Sequence, residues 1–162
     1  MGVAAVAGAG QARSILSGAL YIVSAGASDF VQNYYINPLL FKTQTADQFS
    51  DRLVAIFGRT VQELYGMGAR RVGVTSLPPL GCLPASIRLY GDGKGACVPR
   101  LNRDAETFNA KLNATVRALK RRHADLKLAI LDIYTPLRKL AQDPAAYGTC
   151  VFNSAVRARS RS

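Results

Sequence analysis

The segment from Ser24 to Phe30 (SAGASDF) carries the most suggestive chemistry in this 162-residue sequence. It follows a short apolar run of strand character, and parallel sheets bind ligands at the carboxyl ends of their strands. Gly26 would let the backbone approach a ligand, with neighbouring N–H groups directed at an anion or an oxyanion. Ser28 or Asp29 could instead only cap a turn. On these residues alone the turn-capping interpretation is favoured over the oxyanion one.

The three cysteines fit a disulfide better than a metal site. Cys82 and Cys97 flank a loop rich in Gly and Pro, and a bond between them would close that loop in an oxidising compartment. Their spacing matches no paired C-x-x-C zinc motif, and Cys150 is left over.

The only histidine, His123, is not expected to act as a catalytic base. It follows Arg121 and Arg122 at the end of a basic helical segment, where a histidine usually faces solvent. Nothing in the spacing places a serine and a carboxylate beside it. The motifs G-x-S-x-G, Walker A and H-E-x-x-H are also absent from the sequence.

One N-glycosylation sequon is present, Asn113-Ala114-Thr115. It has meaning only if the chain is secreted. It falls within a predicted helix, which weakens it as a surface-loop signal.

Composition excludes several classes of protein. Hydrophobic residues make up 49% and charged residues 19%, so intrinsic disorder does not describe the whole chain. No apolar run approaches the ~18 residues of a membrane span. The net charge of +11 collects partly in the segments 117–122 and 157–161. Such runs usually form a solvated face, and the alternative is a surface for nucleic acid or anionic membrane.

The positions of the aromatic residues argue against nucleic acid as a partner. RNA-binding sheets expose aromatic rings between basic residues, whereas here the aromatics fall at core positions of the predicted elements.

Strands and helices that the apolar pattern predicts must position the Ser24–Phe30 segment and the loop between Cys82 and Cys97. Continuous β-branched runs suit strands buried on both faces of a parallel sheet, and stripes recurring every three or four residues indicate amphipathic helices. Strands are predicted near 19–24, 71–76 and 128–133, and helices near 47–65, 101–124 and 135–142. This alternation is typical of a layered α/β fold with right-handed crossovers. The first fourteen residues are interpreted as a helix end or a frayed terminus, not a signal peptide.

In their order along the chain, these segments resemble the plant GDSL-type esterase/lipases of the SGNH hydrolase superfamily. The likeness covers roughly Val3 to Gly148. Leu20–Phe30 with Gln32–Pro38 resembles the family's third block, and Gly68–Val72 with Leu77–Pro84 resembles the next segment. Its remaining part rests on Cys97, Leu101, Asn102, Asn109, Leu112, Asn113, Asp132–Tyr134, Pro144, Tyr147 and Gly148.

The resemblance implies a three-layer α/β/α, flavodoxin-like SGNH hydrolase fold, of which this chain would hold about three of five parallel strands. Residues 1–148 would form a partial hydrolase domain, and residues 149–162 an unrelated, disordered basic Arg/Ser tail. Family members hydrolyse small ester or lipid substrates with a serine nucleophile, a histidine base oriented by an aspartate, and an oxyanion hole. No metal or organic cofactor and no nucleic acid is expected. The family is secretory, whereas the chain expressed as given, without a signal peptide, would be cytoplasmic.

Departures from the family pattern limit what this chain is expected to do. Gly26, Ser28 and Asp29 are the candidate catalytic remnant of the oxyanion block, with Ser28 where the family has an asparagine. Either its shorter hydroxyl donates to the oxyanion, or the hole is assembled differently. The nucleophile G-D-S block and the D-x-x-H block are not found in the sequence, so the chain is expected to be inactive.

Two other functions are compatible with the composition and charge of the chain. One is a non-catalytic binding or decoy module that uses a sheet edge or the basic surface. The other, less favoured, is a basic nucleic-acid-binding protein.

Overall fold

The computed structural model describes residues 3–148. Three parallel strands form one sheet, as predicted: β1 (Leu20–Val23), β2 (Arg71–Thr75) and β3 (Lys127–Leu131). Their order in the sheet is β1-β2-β3. Leu20 pairs with Arg71, which pairs with Lys127 on the other side.

The described residues also form seven α-helices: α1 (Val3–Ala7), α2 (Ala9–Gly18), α3 (Pro38–Thr43), α4 (Ala46–Gly66), α5 (Pro84–Tyr90), α6 (Pro99–Arg122) and α7 (Tyr134–Gln142). A π-helix at Asp29–Tyr34 and 3-10 turns at Leu80–Cys82 and Pro144–Tyr147 complete the elements. The long helices α4 and α6 and the last helix α7 lie where the apolar periodicity predicts them. None of the described helices is long and apolar enough to cross a membrane.

Local signals in the sequence explain where the two long helices begin and end. Thr45 and Gln48 form a reciprocal capping box at the start of α4, which satisfies two backbone N–H groups. Pro99 occupies the first turn of α6, where its missing N–H costs nothing. The last turn of α6 carries Lys120, Arg121 and Arg122, whose charges suit the negative end of a helix dipole.

The core lies between one face of the sheet and the packed pair α4 and α6. Val72, Val74 and Leu128 face it from the strands and are almost fully buried. Both connecting helices lie on the same face because consecutive crossovers step in the same direction across the sheet.

The opposite face of the sheet departs from the expectation of strands buried on both sides. Leu20, Ile22 and Leu131 lie on it and are 65%, 54% and 43% exposed. The side chains of Ile22 and Leu131 lean over Gly73, which leaves that glycine buried without a covering helix. Within the described residues, the long helices α4 and α6 pack only against the face that carries Val72, Val74 and Leu128, so the opposite face exposes an apolar surface.

A disulfide closes the loop between β2 and α6. Cys82 and Cys97 are bonded, with their Cα atoms 4.3 Å apart. Gly81 accepts from the N–H of Val98 at 2.8 Å, and a side chain at Gly81 would collide with the oxygen of Val98. The side-chain oxygen of Asn102 accepts from Gly81 N–H at 2.8 Å, so α6 and this loop are held together at close range.

Candidate functional site

The turn after β1 requires a glycine at position 26. Gly26 has a φ of +102°, a conformation that residues with a Cβ rarely adopt. A Cβ there would also lie 3.0 Å from the side chain of Leu77 and 3.3 Å from the ring of Phe108. The chain can therefore turn sharply at the carboxyl end of β1 while staying packed against its neighbours.

A π-helix follows this turn and anchors it to the core. Phe30 donates its N–H to the oxygen of Gly26 at 3.0 Å, and Tyr35 donates to the oxygen of Phe30 at 2.9 Å. The wider turn places Phe30, Tyr34 and Tyr35 on one buried side. Short π-helical segments are frequent at functional sites.

Aromatic packing fixes the orientation of the π-helix. Phe30 is fully buried and makes edge-to-face contacts with Phe49 of α4 at 5.2 Å and Phe108 of α6 at 6.1 Å between ring centroids. Such pairs add about 0.5–1.5 kcal/mol beyond the burial of their area. The candidate block, Gly26 to Asp29, is thus tied to both long helices through the adjacent Phe30.

The far end of the π-helix is fixed by a hydrogen bond to α6. The hydroxyl of Tyr35 donates to Asp104 at 2.8 Å. Burial, and then the adjacent carboxylate of Asp104, raise the pKa of Tyr35, so this phenol stays protonated and keeps donating.

The candidate residues themselves lie at the accessible end of this turn. Ser28 is exposed, Gly26 is buried and Asp29 is half-buried. The bond from Phe30 N–H to the Gly26 oxygen is the first hydrogen bond of this helical segment. The N–H groups of Ala27, Ser28 and Asp29 come before it and therefore have no carbonyl acceptor within the helix. The segment can therefore offer one hydroxyl and several backbone donors to an anionic group.

Ser24 joins the ends of the first two strands. Its hydroxyl accepts from that of Thr75 at 3.0 Å, which holds the carboxyl ends of β1 and β2 together beside the turn. Ser24 has no histidine or carboxylate among the hydrogen-bond partners that the structure gives it.

A cleft of about 250 Å³ opens beside the candidate block. It runs between the ends of β1 and β2 and the helices α4 and α6, and most of its lining is apolar. The lining comprises Val23, Ala25, Gly26, Asp29, Leu53, Ile56, Phe57, Thr60, Val74, Thr75, Phe108 and Leu112.

Asn109 clamps the wall of this site and was not singled out by its chemistry in the sequence. Its side-chain oxygen accepts from Leu77 N–H at 2.7 Å, and its side-chain nitrogen donates to Leu77 oxygen at 3.1 Å. The side chain of Leu77 in turn packs where a Cβ of Gly26 would lie. The one signal in the sequence that points to Asn109 is its position among the residues that resemble the long helix of the plant GDSL-type esterase/lipases.

Ser76 ties the carboxyl ends of β2 and β3 together. Its hydroxyl oxygen accepts from the N–H groups of Ile133 and Tyr134 at 3.0 and 3.1 Å and lies 3.4 Å from Asp132. Hydrogen bonds from Thr135, with smaller contributions from Tyr134 and Ser76, lower the pKa of Asp132. Asp132 is therefore a structural carboxylate that stays ionised at neutral pH.

His123 lies at the opposite end of the sheet from the candidate block. It follows α6 and precedes β3, at the amino ends of the strands, whereas Gly26 and Ser28 follow the carboxyl end of β1. Five strand residues span roughly 16 Å, so the histidine cannot reach that turn. The structure therefore keeps His123 and the turn at Gly26 apart.

The surroundings of His123 differ from the solvent-facing position that its basic neighbours suggested. Its ring packs 4.2 Å from that of Tyr65, and its Nε2 is buried without a hydrogen-bond partner. Arg70 lies 4.2 Å over the same tyrosine ring and pairs with Asp125. Stacking on Tyr65 draws the imidazole inward, so it is a packing element.

The described residues contain no group of three or more His, Cys, Asp or Glu side chains that could hold a metal ion. The predicted tail and Cys150 lie outside the described residues.

Comparison with known proteins gives consistent matches. The family of GDSL-like Lipase/Acylhydrolase proteins matches residues 5–150. Among proteins of Arabidopsis thaliana, GDSL esterase/lipase At5g22810 is 54% identical over 138 residues, which is 85% of this chain and 38% of that protein. GDSL esterase/lipase APG is 50% identical over 143 residues, covering 88% and 40%, and GDSL esterase/lipase At5g03810 is 51% identical over 144 residues, covering 88% and 41%. The chain spans about two fifths of the length of these relatives.

Proposed function

Since the chain belongs to the GDSL-like lipase/acylhydrolase family, we propose that it forms the oxyanion side of an active site that hydrolyses carboxylic esters. The observation that carries this proposal is the turn at Gly26, built where a glycine is obligatory and followed by exposed donors at the carboxyl end of β1. The GDSL esterase/lipases it resembles are named for this activity.

The chemistry assigned to the block is stabilisation of developing negative charge. When a nucleophile attacks an ester carbonyl, the carbonyl oxygen becomes an oxyanion, and fixed donors near it lower the barrier. Ser28 would donate its hydroxyl, and the N–H groups around Gly26 would complete part of the hole. Packing of Phe30 against both long helices supports the proposal because it prevents this turn from reorganising during the reaction.

The cleft beside Gly26 supports an apolar acyl group as the ligand on this side. Gly26 and Asp29, on either side of Ser28, line it, and its other walls come from aliphatic and aromatic side chains such as Leu53, Phe57 and Phe108. An ester whose carbonyl oxygen faced Ser28 could direct its acyl chain into this space, away from water.

Nucleophile and base are not assigned to residues of this chain. No basic side chain is hydrogen-bonded to the hydroxyl of Ser24 or Ser28 in the described residues, and His123 is at the other end of the sheet. A serine attacks usefully only when a base takes its proton and fixed donors receive the oxyanion. We therefore expect the chain alone to have no serine-esterase turnover.

We also propose that the chain folds in an oxidising compartment. The disulfide between Cys82 and Cys97 supports passage through an oxidising compartment, in keeping with a secreted protein.

An assay on the purified chain tests the division of roles. Hydrolysis of a short p-nitrophenyl ester should not exceed that of buffer, and Ser28→Ala and His123→Ala should be indistinguishable from the unchanged chain. Turnover well above buffer that disappears in either variant would show that a complete active site exists within these residues.

A further inference from the structure

The one N-glycosylation sequon of the sequence, Asn113-Ala114-Thr115, lies on the outer side of α6. Asn113 is exposed, and its side-chain nitrogen donates to the main-chain oxygen of Asn109 at 2.9 Å. It points away from the cleft beside Gly26, to which α6 contributes Phe108 and Leu112 instead. No part of the ester-hydrolysis proposal uses it.

A second, independent feature indicates the compartment in which a sequon is read. The disulfide between Cys82 and Cys97 forms where thiols are oxidised, as in the lumen of the endoplasmic reticulum. Glycans are attached to Asn-X-Ser/Thr sequences in the same secretory compartment. An exposed sequon and a disulfide in one domain therefore both indicate that this chain passes through the secretory compartment.

We propose that Asn113 carries an N-linked glycan. The donor is an oligosaccharide bound through its anomeric carbon to a lipid pyrophosphate. A C–N bond forms between that carbon and the Asn113 side-chain nitrogen, the C–O bond to the pyrophosphate breaks, one amide proton is lost and the lipid pyrophosphate leaves. The amide keeps one N–H, which is enough to maintain the bond to Asn109.

The fold restricts when this transfer can take place. Thr115 is half-buried against α4, with its methyl group 3.5 Å from the place that a Cβ on Gly58 would occupy. A transferase that must reach both the Asn113 amide and the Thr115 hydroxyl cannot do so once α6 has docked. The acceptor is therefore the nascent chain, and the folded protein is a poor substrate.

The glycan would stand beside the outer strand of the sheet. Asn113 borders a polar cleft of about 420 Å³ whose other walls include Ser76, Glu106, Asp132 and Tyr134. Sugar hydroxyls would find carboxylate and phenol partners there. Among the described strands β3 pairs only with β2, and a bulky glycan beside it would hinder edge-to-edge association with another chain.

The test expresses the full chain behind a cleavable secretory leader in insect cells, with secreted and retained material both analysed by intact mass before and after glycosidase treatment. The expected result is a mass loss equal to a single glycan. Asn113→Gln and Thr115→Val should lack it, and Thr115→Ser should retain it. Asn33→Gln, at an exposed asparagine outside any sequon, should also keep the glycan.

Timing is tested with protein folded without the glycan and then offered to microsomes and the lipid-linked donor. It should stay unmodified, whereas chain synthesised in the presence of the same microsomes should be modified. Disulfide-bonded chain with the unmodified polypeptide mass in both secreted and retained fractions would overturn the proposal. None of these outcomes depends on whether the chain takes part in ester hydrolysis.

Discussion

Gly26 shows how a single position can meet a backbone demand and a packing demand at once. Its positive φ excludes most side chains, and Leu77 and Phe108 occupy the space that a Cβ would need. Leu77 is in turn held by both side-chain atoms of Asn109. The turn that presents Ser28 is therefore determined by a chain of contacts that runs back to α6.

Gly26→Ala should destabilise the protein by about 2–4 kcal/mol, because backbone strain and overpacking add at this site. Gly93→Ala is the matched control: Gly93 also has a positive φ, of 80°, but a Cβ there would meet nothing within 4 Å. It should cost about 1 kcal/mol. Urea unfolding measures both, and equal losses would show that the contacts with Leu77 and Phe108 do not matter.

Asp132 should make stability depend on pH in the acid range. Hydrogen bonds hold its folded pKa below the ordinary value of 3.8, so its ionised form stabilises the fold above that value. This contribution is lost as pH falls through the folded pKa, with the decline beginning at about pH 5. Asp132→Asn keeps an acceptor for Thr135 but removes the charge.

Unfolding measured from neutral pH into the acid range should give Asp132→Asn a flatter profile, lower than the unchanged chain at pH 7 and converging with it in acid. Asp92→Asn, in the loop between α5 and α6, controls for net charge. Parallel profiles for the unchanged chain and Asp132→Asn would contradict the assignment.

At the scale of elements, the sequence predicts a helix or strand well where apolar periodicity dominates. The apolar stripes of α4 and α6 predict both helices to within a few residues, and for α4 the capping residues favour the same boundaries as burial. The π-helix could not be predicted, since aromatics at 30, 34 and 35 fit an ordinary helix or a turn until the core that holds them is known. The sequence suggests a solvent-facing His123 for a similar reason, because its ring partner Tyr65 lies far away in the sequence.

The disulfide between Cys82 and Cys97 should stabilise the protein by ~3 kcal/mol, because it restricts the unfolded chain over a 15-residue separation. The double variant Cys82→Ser, Cys97→Ser should lose that amount in denaturant unfolding. A reductant should bring the unchanged chain to the same stability and leave the double variant unaffected. A reductant effect on the double variant would mean that another thiol is responsible.

At the scale of the whole molecule, one half of the sheet is well packed and the other is not. The face toward α4 and α6 is closed, whereas Leu20, Ile22 and Leu131 expose an apolar surface on the opposite face of the described residues. The relatives are about two and a half times as long as the matched segment. Sequence patterns identified the three strands, yet they could not show which faces of the sheet this stretch of chain covers by itself.

The most direct test of the proposed oxyanion role places residues 5–148 in the corresponding position of GDSL esterase/lipase APG and measures hydrolysis of a p-nitrophenyl ester. We predict that the folded chimaera is active and that Ser28→Ala lowers kcat on the order of 10-fold or more with little change in KM, because the lost donor acts in the transition state. Ser17→Ala, at an exposed serine of α2 away from the candidate turn, should leave kcat unchanged. A folded chimaera whose kcat is the same with and without the Ser28 hydroxyl would contradict this role.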